Sequence, residues 1–255
     1  MFRSFNFIFE RVRLAFRENS EYKANLWTAI LANSVRLFVL MLFFFVFENL
    51  IGEILGWSNY DFMLYSGLIL AGQKVAYFVS VRKFKYHLLV GDLNIILCKP
   101  INSLLFQFFK RLHGAVLIVC PILVSFVVIL MFLGDYENYL LAIFVFLFGM
   151  AFHSLYISIF ESLAFFFKES GFLVNLYTDF NYSVNGFTPK MMENLSSVFY
   201  FIPGALCGYF VIEILLGRVE QLLGIFGILC LVFICLCFGL KVIWKFGLRR
   251  YEAFG

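Results

Sequence analysis

Charge is scarce in this chain. Asp, Glu, Lys and Arg make up 14% of its 255 residues, against 63% hydrophobic ones. Soluble domains carry about 25% charged residues, so a soluble core wrapped in a solvated surface is excluded. The small net charge of +4, on so little polar surface, points to no nucleic-acid partner. No G-x-x-x-x-G-K-[ST] run occurs, so the chain has no P-loop to cradle ATP phosphates. No G-x-S-x-G elbow supports a serine hydrolase. His87, His113 and His153 fall in separate elements without ligand spacing, so no metal site is expected. The six cysteines show neither CxxC nor disulfide spacing, and all but Cys98 lie in apolar stretches, where thiols act as small hydrophobes. Residues 1–23 carry eight charges and no continuous apolar run, so no secretory signal peptide is read there.

What is abundant is apolar sequence. Mean hydropathy is +0.92, and several runs approach or exceed the roughly 20 apolar residues that cross a bilayer. The expected architecture is an all-α membrane protein with six transmembrane helices. Residues 1–24, with Phe5, Ile8, Phe9, Val12 and Phe16 at helical spacing, read as an amphipathic interfacial helix. Residues 25–255 read as one transmembrane domain. Its spans are Leu26–Phe47, Phe62–Ser80, Leu104–Leu133 with Pro121 inside, Tyr139–Phe167, one crossing within Gly171–Gly217, and Leu222–Trp244.

Orientation follows from where the positive charge stays. The N-terminus, the segment Arg82–Arg111 and the C-terminus are basic, while Glu48–Asp61 and Gly134–Asn138 carry no Lys or Arg. Both termini are therefore expected on the cytoplasmic side, with an even number of crossings. Within Gly171–Gly217, either Gly171–Thr188 crosses and the remainder returns as a re-entrant hairpin, or Leu195–Leu216 crosses.

Four charges fall inside spans, where each costs about 2.5–3.5 kcal/mol at mid-bilayer on the insertion scale. Lys74 and Glu161 are placed at similar depth and form a candidate ion pair. Arg36 and Asp179 are candidates for a translocation path. In the cytoplasmic loop 81–103, Gly91 is placed to end a helix that continues the second span, and Asp92 to cap the next one. Leu93–Cys98 then forms barely two turns, stopped by Lys99-Pro100, and Ser103 caps the third span. A short helix held between two spans moves with them. The competing reading is a basic loop that only satisfies the charge rule.

The motif LVGDLNIILCKPI (Leu89–Ile101) resembles the G-D-L-D-x-x-L-x-x-P-I pattern of a subgroup of bacterial ABC-2 type exporter permeases. FYFIPGALCGYFVIEILLG (Phe199–Gly217) and the tail GLRRYEAFG (Gly247–Gly255) are similar to that subgroup's apolar Pro-containing stretch and basic, Tyr-containing end. Asn94 departs from the acidic residue of the pattern, and Gly204 stands where a second Pro-containing turn is often seen. The resemblance implies a homodimer or a heterodimer with a similar permease in the bacterial plasma (inner) membrane. It also implies separate ABC ATP-binding subunits that carry ATP and Mg, this chain binding no cofactor itself. Leu89, Gly91, Asp92, Leu93, Asn94, Lys99 and Pro100 would make the ATPase contact, together with the N-terminal helix. Residues 189–217 would form re-entrant helices on the outer side, which favours the first of the two topologies. The expected function is export of a lipophilic or amphipathic substrate, without an enzymatic site of its own. The alternative is a secondary transporter or channel using the intramembrane charges, although no internal repeat typical of such proteins is visible.

Overall fold

A computed structural model describes residues 2–81, 84–99, 101–109, 114–167, 170–184, 196–218 and 220–251. Among these residues every regular element is a helix. In chain order they are α1 (Phe2–Glu21), α2 (Lys23–Leu55), α3 (Asn59–Phe78), α4 (Phe84–Leu89), α5 (Asp92–Leu97), α6 (Ser103–Phe109), α7 (Gly114–Leu133), α8 (Tyr139–Ser162), α9 (Ser170–Val184), α10 (Ser196–Phe199), α11 (Pro203–Cys207), α12 (Tyr209–Leu215) and α13 (Glu220–Arg250). Three stretches are long and apolar enough to cross a membrane: Lys23–Val46, Tyr139–Phe165 and Phe226–Arg250. Leu117–Leu133 and Pro203–Leu215 are shorter apolar helices.

Local chemistry sets the boundaries. The helix α2 runs past the expected end at Phe47 to Gly56, whose φ of 64° is left-handed and whose N–H bonds the Gly52 carbonyl at 2.7 Å. Only glycine enters that conformation without cost. Two residues on, Ser58 and Asp61 form a reciprocal capping box that starts α3. Asp61, read from sequence as a loop residue, thus belongs to the first turn of α3. Pro203 stands at the first turn of α11, where its missing N–H costs nothing. The Asn181 side chain of α9 accepts from the Gly204 N–H at 3.2 Å and satisfies that helix start.

The main core gathers buried residues of α3, α7, α8 and α10–α12, with Phe44 and Leu55 of α2 and Leu229 of α13. In a bilayer there is little hydrophobic drive between helices, and close approach at small residues takes its place. Cys207 shows this: a Cβ added at Gly72 would lie 2.9 Å from its Cβ, and one at Gly149 would lie 2.9 Å from its Sγ and 3.0 Å from its backbone N. The broken pair α11–α12 is therefore seated in a slot between α3 and α8. Every residue from Pro203 to Leu215 is buried, so this apolar segment faces protein. The mostly exposed faces belong to α2 and α13, with Val35, Phe38 and Leu42 on one and Leu231, Ile234 and Phe238 on the other.

A second, smaller cluster lies at the opposite end from the α2–α3 connection. Val81, Phe84, Leu93, Ile96, Phe106 and Trp244 form it, with Phe7, Phe165 and Leu248 packed around them. Here α1 joins the body: Phe7 stacks on Phe106 with ring centroids 4.8 Å apart, and Ala15, two turns further on, is buried. Phe9 and Phe16 of the expected apolar stripe remain 67% and 51% exposed. The helix thus packs through the 7/15 side and leaves its 9/16 side outward.

Candidate functional site

The segment singled out by sequence, 81–103, resolves into two short helices folded over the second, smaller cluster. The second span does not continue past Ser80 as expected. It ends at Phe78, because α8 captures the chain that follows. Ser154 Oγ donates to the Val79 carbonyl at 2.6 Å, Ser158 Oγ accepts from the Val81 N–H at 3.1 Å, and a Glu161 carboxylate oxygen accepts from the Phe84 N–H at 2.9 Å. Three side chains spaced four and three apart on one face of α8 thereby replace the hydrogen bonds that a continuous helix would make. Each of these three residues is buried.

Gly91 adopts φ 77° and separates α4 from α5, as its sequence position requires. Nothing lies within 4 Å of a Cβ added there, so backbone conformation alone selects glycine. Asp92 does not cap α5; no side-chain cap is present. Its carboxylate meets His87 Nδ1 at 3.0 Å instead, the imidazole N–H donating across the Gly91 turn. The pair clasps α4 to α5. On α5, Leu93 and Ile96 (0% and 3% exposed) point into the second cluster, while Asn94, Ile95 and Leu97 face outward with Lys99 beyond them. Leu89 and Val90 are exposed alongside. The Lys99 ammonium sits 4.4 Å from the centre of the Phe106 ring. Pro100 lies outside the described residues.

The start of α6 corrects a second cap. Asn102 Oδ1, not Ser103, accepts from the Leu104 and Leu105 N–H groups at 3.0 and 3.2 Å. Ser103 Oγ accepts from Trp244 Nε1 at 3.0 Å and so ties α6 to the end of α13. The Phe84 ring lies 4.8 Å from Trp244 and 4.7 Å from Phe165. The loop helices therefore rest, through one aromatic layer, on the turn after α8 and on the last part of α13.

The four charges expected within spans are not assembled into one site. Arg36 of α2 donates to Gln73 Oε1 of α3 at 2.9 Å. Asp179 lies on the exposed side of α9. The expected Lys74–Glu161 pair fails on register. Gly72 lies against Phe146, and Val79 bonds Ser154, so α3 and α8 run parallel with an offset of about 75 residues. Lys74 is then level with residue 149, and Glu161 is about 18 Å further along the axis at 1.5 Å per residue. Glu161 serves the Phe84 amide, whereas Lys74, two turns beyond Gly67, falls on the α3 face that meets Phe126 and Val127 of α7.

Sequence reading missed a polar lock at the opposite end. Glu213 of α12 accepts from Trp57 Nε1 at 2.9 Å and from Arg218 at 3.3 Å, while Arg218 also donates to the Leu55 carbonyl at 2.9 Å. Nearby, the Tyr136 hydroxyl donates to Asp61 at 2.5 Å. The acidic, Lys-free and Arg-free character of these connections was visible, but Trp57 and Glu213 are 156 residues apart in sequence and Tyr136 and Asp61 75 apart. Among the described residues, no group of three or more His, Cys, Asp or Glu is arranged to hold a metal ion.

Residues 34–255 match the family described as ABC-2 family transporter protein. No curated protein and no solved structure matches the chain. The match spans most of the chain and takes in α5, the α11–α12 segment and the basic tail. With three membrane-length apolar helices, the protein is a multi-pass membrane transport component, and it belongs to the ABC-2 transporter family.

Proposed function

We propose that this chain is the permease subunit of an ATP-driven exporter and that α5 receives the stroke of a partner ATPase. The observation that carries this reading is the two-faced character of α5. Its inner residues, Leu93 and Ile96, are sealed in the second cluster, each burial contributing about 1.5–3 kcal/mol. Its outer residues present an apolar patch with one lysine, outside any membrane-length helix, which suits contact with a partner protein. Two ABC ATP-binding subunits, holding ATP and Mg, would dock there and against α1. A push on α5 passes through Phe84 and Trp244 to α8 and α13. The Ser154, Ser158 and Glu161 bonds oblige α3 to follow α8.

In the proposed topology α2, α3, α6–α7, α8, α9 and α13 cross the plasma membrane with both termini cytoplasmic. The segment α10–α12 is the outer re-entrant element. Its end at Arg218 is bonded to the end of α2, and the start of α11 meets Asn181 of α9. A second permease copy or a similar chain completes the pathway, and the cargo is lipophilic or amphipathic. Of the candidate path residues, Arg36 serves as a structural tie to Gln73.

The test is co-purification with a P-loop ATPase followed by transport assays in proteoliposomes. Ile95→Asp is expected to abolish stimulation of the ATPase while leaving the permease folded. Transport that persists with no ATPase present would overturn the proposal in favour of a secondary transporter.

A further inference from the structure

An apolar hollow of about 330 Å³ lies between α3, α6, α8 and α13. Ala76 and Met150 are buried in its lining, whereas Val79, Leu147 and Ala151 are exposed along it. On α8 the lining residues 147, 150, 151, 154 and 155 fall at helical spacing along one face, and on α3 they are 75, 76 and 79. Because α3 and α8 run parallel, the hollow is a groove along their common axis, about 12 Å long at 1.5 Å per residue. The polar side chain in it, Ser154, gives its hydroxyl proton to the Val79 carbonyl. Nothing else in the lining offers a hydrogen bond or a charge, so a polar ligand would be desolvated there without compensation.

We propose that this groove holds one acyl chain of a membrane phospholipid. This rests on the reading of α3 and α8 as spanning helices. Three features select the occupant. The groove follows the axes of spanning helices, which is the direction of lipid chains. Its mouth lies on α8, a helix of membrane length, so the surrounding medium is hydrocarbon. Its volume lies at the bottom of the roughly 300–1,000 Å³ range of small-molecule pockets, which suits a chain segment better than a bulky drug-sized solute. The chain enters sideways past Leu147 and Ala151 and lies on Ala76 and Met150.

The test uses the full chain in bilayer nanodiscs containing a phospholipid with a diazirine on one acyl chain, photolysed and mapped by peptide mass spectrometry. Labelling is expected to concentrate at residues 147–155 and 75–79. Ala151→Trp places a large ring over the mouth and is expected to lower that labelling at least tenfold, leaving the labelling of the exposed α2 face unchanged. Leu147→Trp, at a half-exposed position, is the second variant should the first fail to fold. Undiminished labelling in both variants overturns the proposal, as does labelling confined to the exposed faces of α2 and α13. Efficient disulfide cross-linking between two copies of Ala151→Cys also overturns it, since a second copy would then cover the groove. No ATPase is needed for the labelling, so loss of ATPase coupling with labelling intact refutes the exporter reading alone.

Discussion

Gly149→Ala tests the seating of the α11–α12 segment directly. The new methyl carbon would stand 2.9 Å from Cys207 Sγ, 3.0 Å from the Cys207 backbone N and 3.1 Å from the Leu206 carbonyl carbon. Two of these three atoms are backbone and cannot rotate away, so α11 must lift out of its slot. Overpacking of this kind costs about 1–3 kcal/mol. Gly239→Ala in α13 is the matched control, since nothing lies within 4 Å of its added Cβ. Both substitutions gain the same helix propensity, up to about 1 kcal/mol, which cancels in the difference. For a chain of this size each kcal/mol moves the midpoint by roughly 2–4 °C, so Gly149→Ala should melt about 2–12 °C below Gly239→Ala in detergent. Gly72→Ala adds a discriminating arm, because its short contacts are with Cys207 Cβ and Sγ at 2.9 and 3.0 Å. Cys207→Gly deletes both atoms and should rescue Gly72→Ala. It leaves the backbone contacts of Gly149→Ala in place, and a double-mutant cycle separates the two cases. Equal melting of Gly149→Ala and Gly239→Ala, or equal rescue of both by Cys207→Gly, would refute this packing.

Other outcomes follow from the loop and the polar lock. Leu93→Ala should cost about 2–5 kcal/mol by emptying a sealed position, whereas Ile95→Asp on the opposite face should stay within about 0.5 kcal/mol; thermal melts of the two variants check this. Trp57→Phe removes one hydrogen bond to the Glu213 carboxylate and should cost about 1.5–3 kcal/mol. Arg218→Lys should recover part of the loss seen with Arg218→Ala, because a single guanidinium nitrogen serves both Leu55 and Glu213 and an ammonium with three donors can do the same; stability of the three variants decides it. Burial, followed by the hydrogen bond to Asp61, raises the Tyr136 pKa above its ordinary value of 10. The folded state therefore holds this proton more tightly than the unfolded one, and the associated stability, present below pH 10, should drain away as pH rises further. Tyr136→Phe should flatten that alkaline slope in a melting-temperature profile, at the expense of the Asp61 hydrogen bond at neutral pH.

Local rules were legible in the sequence where a single residue type dictates backbone shape. Gly91 required a break because only glycine takes φ 77° without strain, and the two-turn helix after it followed from Pro100 downstream. Side-chain partners were not legible even where they sat close in sequence: the capping box of Ser58 and Asp61 falls in a stretch read only as an acidic connection. Asp92 has the composition of a cap but lies next to a histidine that the Gly91 turn folds back upon it, so the stronger charge-assisted bond wins. Ser103 lost its capping role to Asn102 for a similar reason: an indole N–H from the far end of the chain claims its hydroxyl. The Lys74–Glu161 pairing was inferred from hydropathy depth, and depth does not contain the register between parallel helices. Serines 154, 158 and 162 looked inert in an apolar run. Their spacing of four was the signal that one face of α8 is polar, although it could not say that the partner is the unwound end of α3.

That unwound end has a mechanical consequence. Backbone in hydrocarbon must find every hydrogen bond within the protein, which ordinarily forbids a joint below the water line. At Val79, Val81 and Phe84 side chains of α8 supply the partners, so in the proposed topology the elbow at the end of α3, where the cytoplasmic loop begins, leans on protein rather than on solvent. The pivot is braced directly on α8, and the lever that reaches it can be short. In the proposed coupling, a small displacement of α5 would therefore reach α3 and α8 together, without passing through a wet, compliant hinge.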